Sequence, residues 1–170
     1  MWPGIYLHWV INMRKGNWKN TLFWIIGAEA VGILSGLISR QGMEYFSQAV
    51  TKPPLSPPGW LFPLVWTVLY ALMGLGAARV SRSASGPDRN RGLNLYIAQL
   101  IVNFFWSPIF FNARAYGLAF FWLVTLLVLV IAMTAAFRPV DRAAATVQIP
   151  YILWLIFAGY LNAGVWYANR

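Results

Sequence analysis

The sequence predicts an all-α integral membrane protein, folded as a compact bundle of five transmembrane helices. Of its 170 residues, 59% are hydrophobic and only 10% are charged, whereas soluble domains carry about 25% charged residues. The charged residues form clusters, and long uncharged segments separate these clusters. Residues 121–133 and similar segments are continuously apolar, while the strands of a membrane β-barrel alternate. This pattern argues against a soluble enzyme and a disordered tail, and it disfavours a β-barrel.

Each of the five helices is predicted from one gap between charged residues. A helix that crosses the hydrocarbon core needs about 20 mostly apolar residues. The last four gaps reach that length without Asp, Glu, Lys or Arg, and the first contains Glu29 and reaches it with polar flanks. The expected spans are residues 20–40, 59–80, 92–112, 116–137 and 145–168.

The connections between the spans are short, except for the first. This connection, from Gly42 to Pro58, contains four prolines within residues 53–58, a density that regular helix does not tolerate. The other connections are polar or tight turns. Short connections make neighbouring helices antiparallel, as in a compact bundle.

The lysines and arginines divide unequally between the two ends of this bundle. Nine of the 13 fall on the side of the N-terminus and four on the side of the proline-rich loop. The nine are Arg14, Lys15, Lys19, Arg79, Arg82, Arg89, Arg91, Arg138 and Arg142. The positive-inside rule therefore places the N-terminus inside and the proline-rich loop outside. These basic residues are spread over several loops and form no single stripe, so we expect no nucleic-acid partner despite a net charge of +9.

Residues 1–19 form an N-terminal extension to the membrane domain, which we place at residues 20–170. The first twelve residues are apolar and Trp-containing and precede the basic residues, which is the reverse of the order in a signal peptide. Two interpretations stay open: an interfacial arm, or a natural start at Met13 that makes the first residues non-native. The lack of a signal-peptide pattern favours a bacterial inner membrane over an outer membrane.

The composition also limits the chemistry of the chain. It has no cysteine and one histidine, His8, so a disulfide framework, a cysteine metal site, a thiol nucleophile and a multi-histidine metal cluster are excluded. We predict no catalytic residue and no metal site.

Polar and aromatic residues form stripes on three of the predicted helices. Residues 99, 103 and 107 share a face of the third helix at a spacing of four, beside two aromatic residues. The other stripes comprise Tyr151, Trp154, Ala158 and Asn162 on the fifth helix, and Pro63, Thr67, Tyr70 and Gly74 on the second. Together they predict an aromatic cavity for a small molecule. The alternatives are interhelical hydrogen bonds and, for tryptophans near helix ends, a membrane-interface belt.

Two features of the first helix leave alternatives open. Glu29 is the only acid in a predicted span, and it serves either a functional site or a protonated or snorkelling position. Ala28, Gly32 and Gly36 form a ridge of small residues that allows close helix approach. The ridge serves either a dimer or the inside of the bundle.

Three motifs resemble the TspO/MBR family, which comprises translocator proteins and tryptophan-rich sensory proteins. They are the segment from Lys52 through Trp66 to Tyr70, the segment from Ala98 to Phe111, and the segment from Ile149 to Trp154 with Ala158, Leu161 and Asn162. The resemblance runs from about residue 22 to the C-terminus, with the motifs in the family's order.

The resemblance implies a membrane receptor, sensor or transporter-like protein, often a homodimer in contact with membrane lipid. It would bind porphyrins, haem-type tetrapyrroles and sterol-like ligands, with porphyrin or haem as ligand rather than obligatory cofactor. The implied pocket residues are Trp60, Tyr70, Asn103, Trp106, Tyr151, Trp154, Ala158 and Asn162. The loop over the pocket would contribute Lys52, Pro53, Leu55, Pro57 and Pro58. The alternatives are a light-dependent porphyrin-degrading enzyme and a structural or assembly protein.

Two positions depart from what the resemblance implies. Leu55 stands where relatives usually have a loop tryptophan linked to porphyrin breakdown, which weakens the degradative alternative. Val165, Tyr167 and Arg170 match the loose form of a cholesterol-recognition pattern. Ala163, however, stands where several relatives have an aromatic residue, so the sterol interpretation is weak.

Overall fold

The computed structural model describes the backbone of residues 3–170 and the side chains of residues 18–170. These residues form seven α-helices and a π-helical turn, and they contain no strand. The helices are α1 Pro3–Ile38, α2 Arg40–Ala49, α3 Leu61–Ser81, α4 Pro87–Ser107, α5 Tyr116–Val140, α6 Arg142–Thr146 and α7 Ile149–Ala168, and the π-helical turn Pro108–Asn112 extends α4. The two hypotheses for residues 1–12, and His8, concern side chains outside the described residues.

Five segments are long and apolar enough to cross a membrane. They are Trp18–Ile38, Leu61–Ser81, Pro87–Asn112, Tyr116–Val140 and Arg142–Ala168. Each overlaps one of the spans expected from the charge gaps, so the all-α, multi-pass membrane fold is confirmed. The boundaries differ by a few residues, because α4 begins at Pro87, the favoured residue type for a first helical turn.

The first connection is partly helical, because residues 42–49 belong to a helix that was not predicted. α2 occupies Arg40–Ala49. Residues 53–58, which contain the four prolines, are non-helical as expected, and the next helix begins at Leu61 rather than at residue 59. Met43, Phe46 and Val50 recur at helical spacing and are partly buried. This period of three to four residues is the signal that could have revealed α2.

The fourth connection is also shorter than expected. α5 continues through Pro139 and ends at Val140, so Asp141 alone separates it from α6. The Oδ1 atom of Asp141 accepts a hydrogen bond of 2.9 Å from the backbone N–H of Ala144. Asp141 therefore caps α6 and lets the chain turn back within one residue.

The ridge of small residues on α1 faces the inside of the bundle. Ala28 is fully buried, and a Cβ atom on Gly32 would overlap the ring of Tyr70 in α3. In turn, Gly74 of α3 lies against the backbone of Ile25. The two helices approach closely because both surfaces lack side chains at these points, so Ala28 and Gly32 of the ridge pack inside the bundle.

Pro108 changes the hydrogen bonding of α4 next to the cavity. Proline has no N–H to donate to the carbonyl four residues earlier, and that carbonyl belongs to Phe104. The Ser35 hydroxyl of α1 donates a hydrogen bond of 2.7 Å to the Phe104 oxygen. The helix continues as a π turn, a form that often marks functional sites, and α1 is tied to α4 at this level.

Candidate ligand-binding cavity

A cavity of about 460 Å³ lies between α1, α2, α3, α7, the end of α4 and the proline-rich loop. This volume is within the range of about 300–1,000 Å³ that is typical of small-molecule sites. Its wall contains Glu29, Gly32, Ile33, Ser35, Gly36, Met43, Phe46, Ser47, Lys52, Ser56, Pro57, Gly59, Phe62, Pro63, Trp66, Thr67, Tyr70, Asn103, Trp106, Ser107, Phe110, Phe111, Trp154, Ala158, Leu161, Asn162 and Val165.

Aromatic rings form much of this wall. The rings of Trp106 and Phe110 are stacked, with centroids 4.9 Å apart and planes 20° apart. On the opposite side, Phe62 of α3 meets Trp154 of α7 edge-on at 6.0 Å. Stacked and edge-on arrangements are favourable for aromatic pairs, so these rings hold one another in place.

Asn103 sits at the centre of a buried hydrogen-bond network beside the cavity. Its Oδ1 atom accepts a hydrogen bond of 3.2 Å from the Tyr70 hydroxyl, and its Nδ2 atom donates one of 2.6 Å to the Tyr151 hydroxyl. Tyr151 in turn donates to Gln99 Oε1 at 3.1 Å. The network links α3, α4 and α7 and satisfies polar groups that would be costly to bury alone.

A second polar group in the wall is Asn162 of α7. Its Oδ1 atom accepts a hydrogen bond of 3.3 Å from Trp106 Nε1, and its Nδ2 atom donates one of 2.8 Å to the Tyr116 carbonyl oxygen. Asn162 therefore orients the Trp106 ring toward the cavity and ties α7 to the start of α5.

The proline-rich loop is held over the cavity by the end of α7. The backbone N–H of Thr51 donates to Asn169 Oδ1 at 3.0 Å, and Asn169 Nδ2 donates to the Thr51 carbonyl at 2.9 Å. The Tyr160 hydroxyl donates to the Pro54 carbonyl at 3.0 Å. Pro53 rests against Gly164, where a Cβ atom would overlap its ring. These contacts hold the loop in place over the cavity.

Two charged side chains line the cavity, and they come from different elements. Lys52 belongs to the covering loop, with its Nζ atom 5.5 Å from the centre of the Phe46 ring and 3.5 Å from the Ser47 carbonyl oxygen. Glu29 belongs to α1. Among the side chains of residues 18–170, no group of three His, Cys, Asp or Glu residues is placed to hold a metal ion.

The structure brings most of the expected pocket residues together. Those that line the cavity are Tyr70, Asn103, Trp106, Trp154, Ala158 and Asn162. Tyr151 is fully buried and supports Asn103 from outside the cavity wall. Trp60 is 69% exposed and lies outside the wall. Binding by any of these residues stays a prediction.

Of the residues expected in the loop over the pocket, some line the cavity and others lie outside it. Lys52 and Pro57 line the cavity, whereas Pro53, Leu55 and Pro58 do not. Leu55 is 80% exposed, and its φ of 63° places it in the left-handed region. Leu55 therefore points away from the site.

The residues of the cholesterol-recognition pattern do not share a surface. Val165 is buried and lines the cavity, whereas Tyr167 is 75% exposed. The Arg170 guanidinium lies 5.2 Å from the centre of the Tyr167 ring. Sterol binding by these three residues stays a prediction.

The polar stripes did not reveal the contributions of α1 and α2 to the cavity. Gly32, Gly36, Met43 and Phe46 all line it, but none has a polar group that would mark a site. Their signal was indirect: a small-residue ridge on α1 and helical spacing on α2.

Comparison with known proteins finds relatives that match most of the chain, including the residues that form the cavity. The model of the TspO/MBR family matches residues 24–167. The chain is 38% identical to Protein CrtK of Rhodobacter capsulatus over 136 residues, which are 79% of this chain and 84% of that protein. It is 35% identical to the translocator protein of Ovis aries over 135 residues, 78% of this chain and 79% of that protein. It is 32% identical to the tryptophan-rich protein TspO of Chlorobaculum tepidum over 134 residues, 78% of this chain and 85% of that protein.

Proposed function

Because the chain belongs to the TspO/MBR family, we propose that it is a membrane receptor, sensor or transporter-like protein for porphyrin- or haem-type tetrapyrroles and other lipophilic ligands. The observation that carries the proposal is the cavity itself. Aromatic rings from α3, α4 and α7 face one apolar space, and the amides of Asn103 and Asn162 lie in its wall. Relatives named translocator protein and tryptophan-rich sensory protein support transport or sensing as the outcome of binding.

A flat tetrapyrrole would be recognised by stacking rather than by metal ligation. The chain has no cysteine and only one histidine, so thiolate and bis-histidine ligation of a haem iron are unavailable. Stacking on Trp106 and Trp154 supplies the apolar contact. Lys52, which lines the cavity at its cover, would meet a propionate. Arg114 is less suited because its guanidinium lies 3.5 Å from the centre of the Tyr45 ring, outside the wall.

A receptor is preferred over a light-dependent porphyrin-degrading enzyme. The loop position that the degradative interpretation needs as tryptophan is Leu55, and this side chain is exposed and outside the cavity. Illumination of the porphyrin complex should bleach the pigment no faster than it bleaches free porphyrin. Faster, specific product formation would favour the enzyme instead.

The binding site is tested by titrating the purified protein in detergent with protoporphyrin IX and following the porphyrin absorbance. We expect Trp106→Phe and Trp154→Phe each to weaken binding about fivefold, which corresponds to roughly 1 kcal/mol of aromatic contact. Trp18→Phe is the matched control, because Trp18 is exposed and lies outside the cavity wall. Unchanged affinity in both cavity variants would overturn the pocket assignment.

The structural or assembly alternative is tested with the same protein. A ligand that binds only the folded state raises its thermal stability by mass action. We expect protoporphyrin IX to raise the unfolding midpoint of wild type more than that of Trp106→Phe. A panel of tetrapyrroles and lipophilic compounds that leaves the midpoint unchanged would favour a cavity that serves packing alone.

We also propose a bacterial inner membrane as the location and a homodimer as the assembly. The unequal division of Lys and Arg fits the positive-inside rule for inner-membrane insertion. A dimer would have to use a face other than the α1 ridge, which packs within the bundle. Membrane fractionation tests the location, and mass measurement of the detergent-solubilised protein tests the dimer.

A further inference from the structure

Glu29 places a carboxyl group in the cavity wall, within the first apolar span. The first apolar span includes Trp18–Ile38, and Glu29 lies inside it. Ile25 and Gly32, which are four residues before it and three after it, both touch α3 at Gly74 and Tyr70. Because these positions share a helix face, Glu29 faces the bundle rather than the lipid, and it lines the cavity.

The Glu29 carboxyl has no partner among the described residues. The only ion pair in this part of the chain joins Arg79 to Asp141, and no described side chain donates a hydrogen bond to Glu29. Lys52, the other charged residue of the wall, lies at the loop and contacts Ser47 and Phe46 instead. A carboxyl inside a membrane span is energetically costly, and such a residue is by default a functional hypothesis. The unpaired carboxyl of Glu29 therefore needs a functional explanation.

We propose that Glu29 is an anionic subsite that selects flat aromatic ligands with a protonated amine over neutral ligands of the same shape. The carboxylate supplies the counter-charge, and Trp66 and Tyr70, whose rings lie 5.6 Å apart in the same wall, supply π faces that attract cations. The apolar surroundings strengthen both interactions relative to water. The proposal uses the cavity of the proposed function and adds a second ligand class to it.

The position of the two wall charges also sets the orientation of a ligand. A cationic group would point to α1, where Glu29 lies, and an anionic group would point to the covering loop, where Lys52 lies. A ligand with one charge of each sign would therefore bind in one direction. Neutral ligands lack this constraint.

The test compares two probes that share one ring system, 1-pyrenemethylamine and 1-pyrenemethanol. The first probe carries an ammonium group where the second carries a hydroxyl group. The pyrene ring of each probe accepts energy transfer from tryptophan. The protein is held in an uncharged detergent so that the micelle surface attracts neither probe. We expect wild type to bind the amine about tenfold more tightly than the alcohol.

Four variants locate the source of that preference. Glu29→Gln keeps the shape and removes the charge, and we expect it to bind both probes within about twofold of each other. Glu29→Met serves the same purpose if glutamine prevents folding. Glu29→Asp keeps the carboxylate and should retain most of the preference. Glu44→Gln is the matched control, because Glu44 is exposed on α2 and lies outside the cavity.

Protoporphyrin IX binding is measured on the same samples. Equal binding of the two probes by wild type, or a preference that survives in Glu29→Gln and Glu29→Met, would overturn the anionic subsite. If the porphyrin still binds in that case, the proposed function stands without it. If the amine preference depends on Glu29 but the porphyrin does not bind, the subsite stands and the tetrapyrrole proposal fails.

Discussion

Asn103 donates a hydrogen bond of 2.6 Å from its Nδ2 atom to the hydroxyl of Tyr151, and only Asn103 of the two lines the cavity. The same amide accepts a hydrogen bond from Tyr70, which also lines the cavity. Tyr151 therefore acts on the site through Asn103, as a support that sets the direction of its amide. A ligand that contacts Asn103 would therefore meet an amide group whose orientation is already fixed.

Removal of the Tyr151 hydroxyl should weaken the bundle. Tyr151→Phe leaves the Nδ2 atom of Asn103 and the Oε1 atom of Gln99 without their partner. Interhelical hydrogen bonds in membranes contribute about 0.6 kcal/mol on average, and an unsatisfied buried group adds to the loss, so we expect about 1 kcal/mol. Thermal unfolding in detergent measures the change. Tyr167→Phe, at an exposed position, should leave the midpoint unchanged, and an equal drop in both variants would contradict the prediction.

The fastening of the loop to α7 should control how long a ligand stays bound. Asn169→Ala removes both hydrogen bonds to Thr51. At about 0.5–1.5 kcal/mol for each of the two hydrogen bonds, we expect the dissociation rate of bound porphyrin to rise at least about fivefold and at most about 150-fold. Stopped-flow displacement measures this rate, and hydrogen exchange at the Thr51 amide should accelerate without ligand. Asn90→Ala, an exposed asparagine at the opposite end of the bundle, is the control, and a slow loop amide in Asn169→Ala would refute the fastening.

Two glycines on one ridge should respond differently to the same substitution. A Cβ atom at Gly32 would overlap the Tyr70 ring, whereas nothing lies within 4 Å of a Cβ atom at Gly36. Gly32→Ala should destabilise the protein by about 1–3 kcal/mol, because the ring or α1 must move. Gly36→Ala should be neutral or stabilise by up to about 1 kcal/mol through lower chain entropy in the unfolded state. The unfolding midpoints of the two variants measure this difference in stability. Equal midpoints would contradict the close packing of α1 on α3.

Asp141 should make the stability of the bundle depend on pH. Burial disfavours its charged form, but hydrogen bonds from the Ala144 backbone N–H and from Arg79, together with the Arg79 charge, outweigh burial and lower the pKa of Asp141 below its ordinary value of 3.8. A carboxyl whose pKa is lowered by folding contributes stability that is complete above its unfolded pKa. That contribution is lost as the pH falls through the folded pKa.

We therefore expect wild type to lose stability below about pH 4 more steeply than Asp141→Asn. Asparagine retains the capping oxygen but has no charge to titrate or to pair with Arg79. Unfolding midpoints between about pH 3 and pH 7 measure the difference between the two curves. Asp88→Asn is the control for a carboxyl without an ion pair among the described residues, and parallel curves for wild type and Asp141→Asn would refute the linkage.

Much of the fold was predictable because membrane insertion imposes local rules. A span must be long, apolar and free of charges, so the gaps between charged residues located all five helices. The proline run likewise predicted that residues 53–58 are non-helical, since proline lacks the N–H that a helix needs. Helix α2 was not predicted because its exposed face is as polar as a loop. Only the spacing of Met43 and Phe46 indicates a helix there.

The candidate site was predictable only in part, for a different physical reason. Helical periodicity states which residues share a face, and this placed Asn103 with Trp106 and Asn162 with Trp154. It does not state how far each helix is rotated or what lies opposite. Tyr151 shares the stripe of Trp154 but contacts Gln99 and Asn103 outside the cavity wall. Trp60 precedes a cavity-lining helix and yet faces away.

The residue pattern alone was sufficient for the membrane class, the five spans, the expected orientation and the family, because each depends on properties read along the chain. The neighbours of Glu29, of the α1 ridge and of the loop are defined only by the packing of the helices. Packing sets Gly32 against Tyr70, leaves Glu29 in the wall of the cavity and brings Thr51 to Asn169, 118 residues away. Contacts of such long separation are set by which surfaces fit together, and no local pattern encodes them.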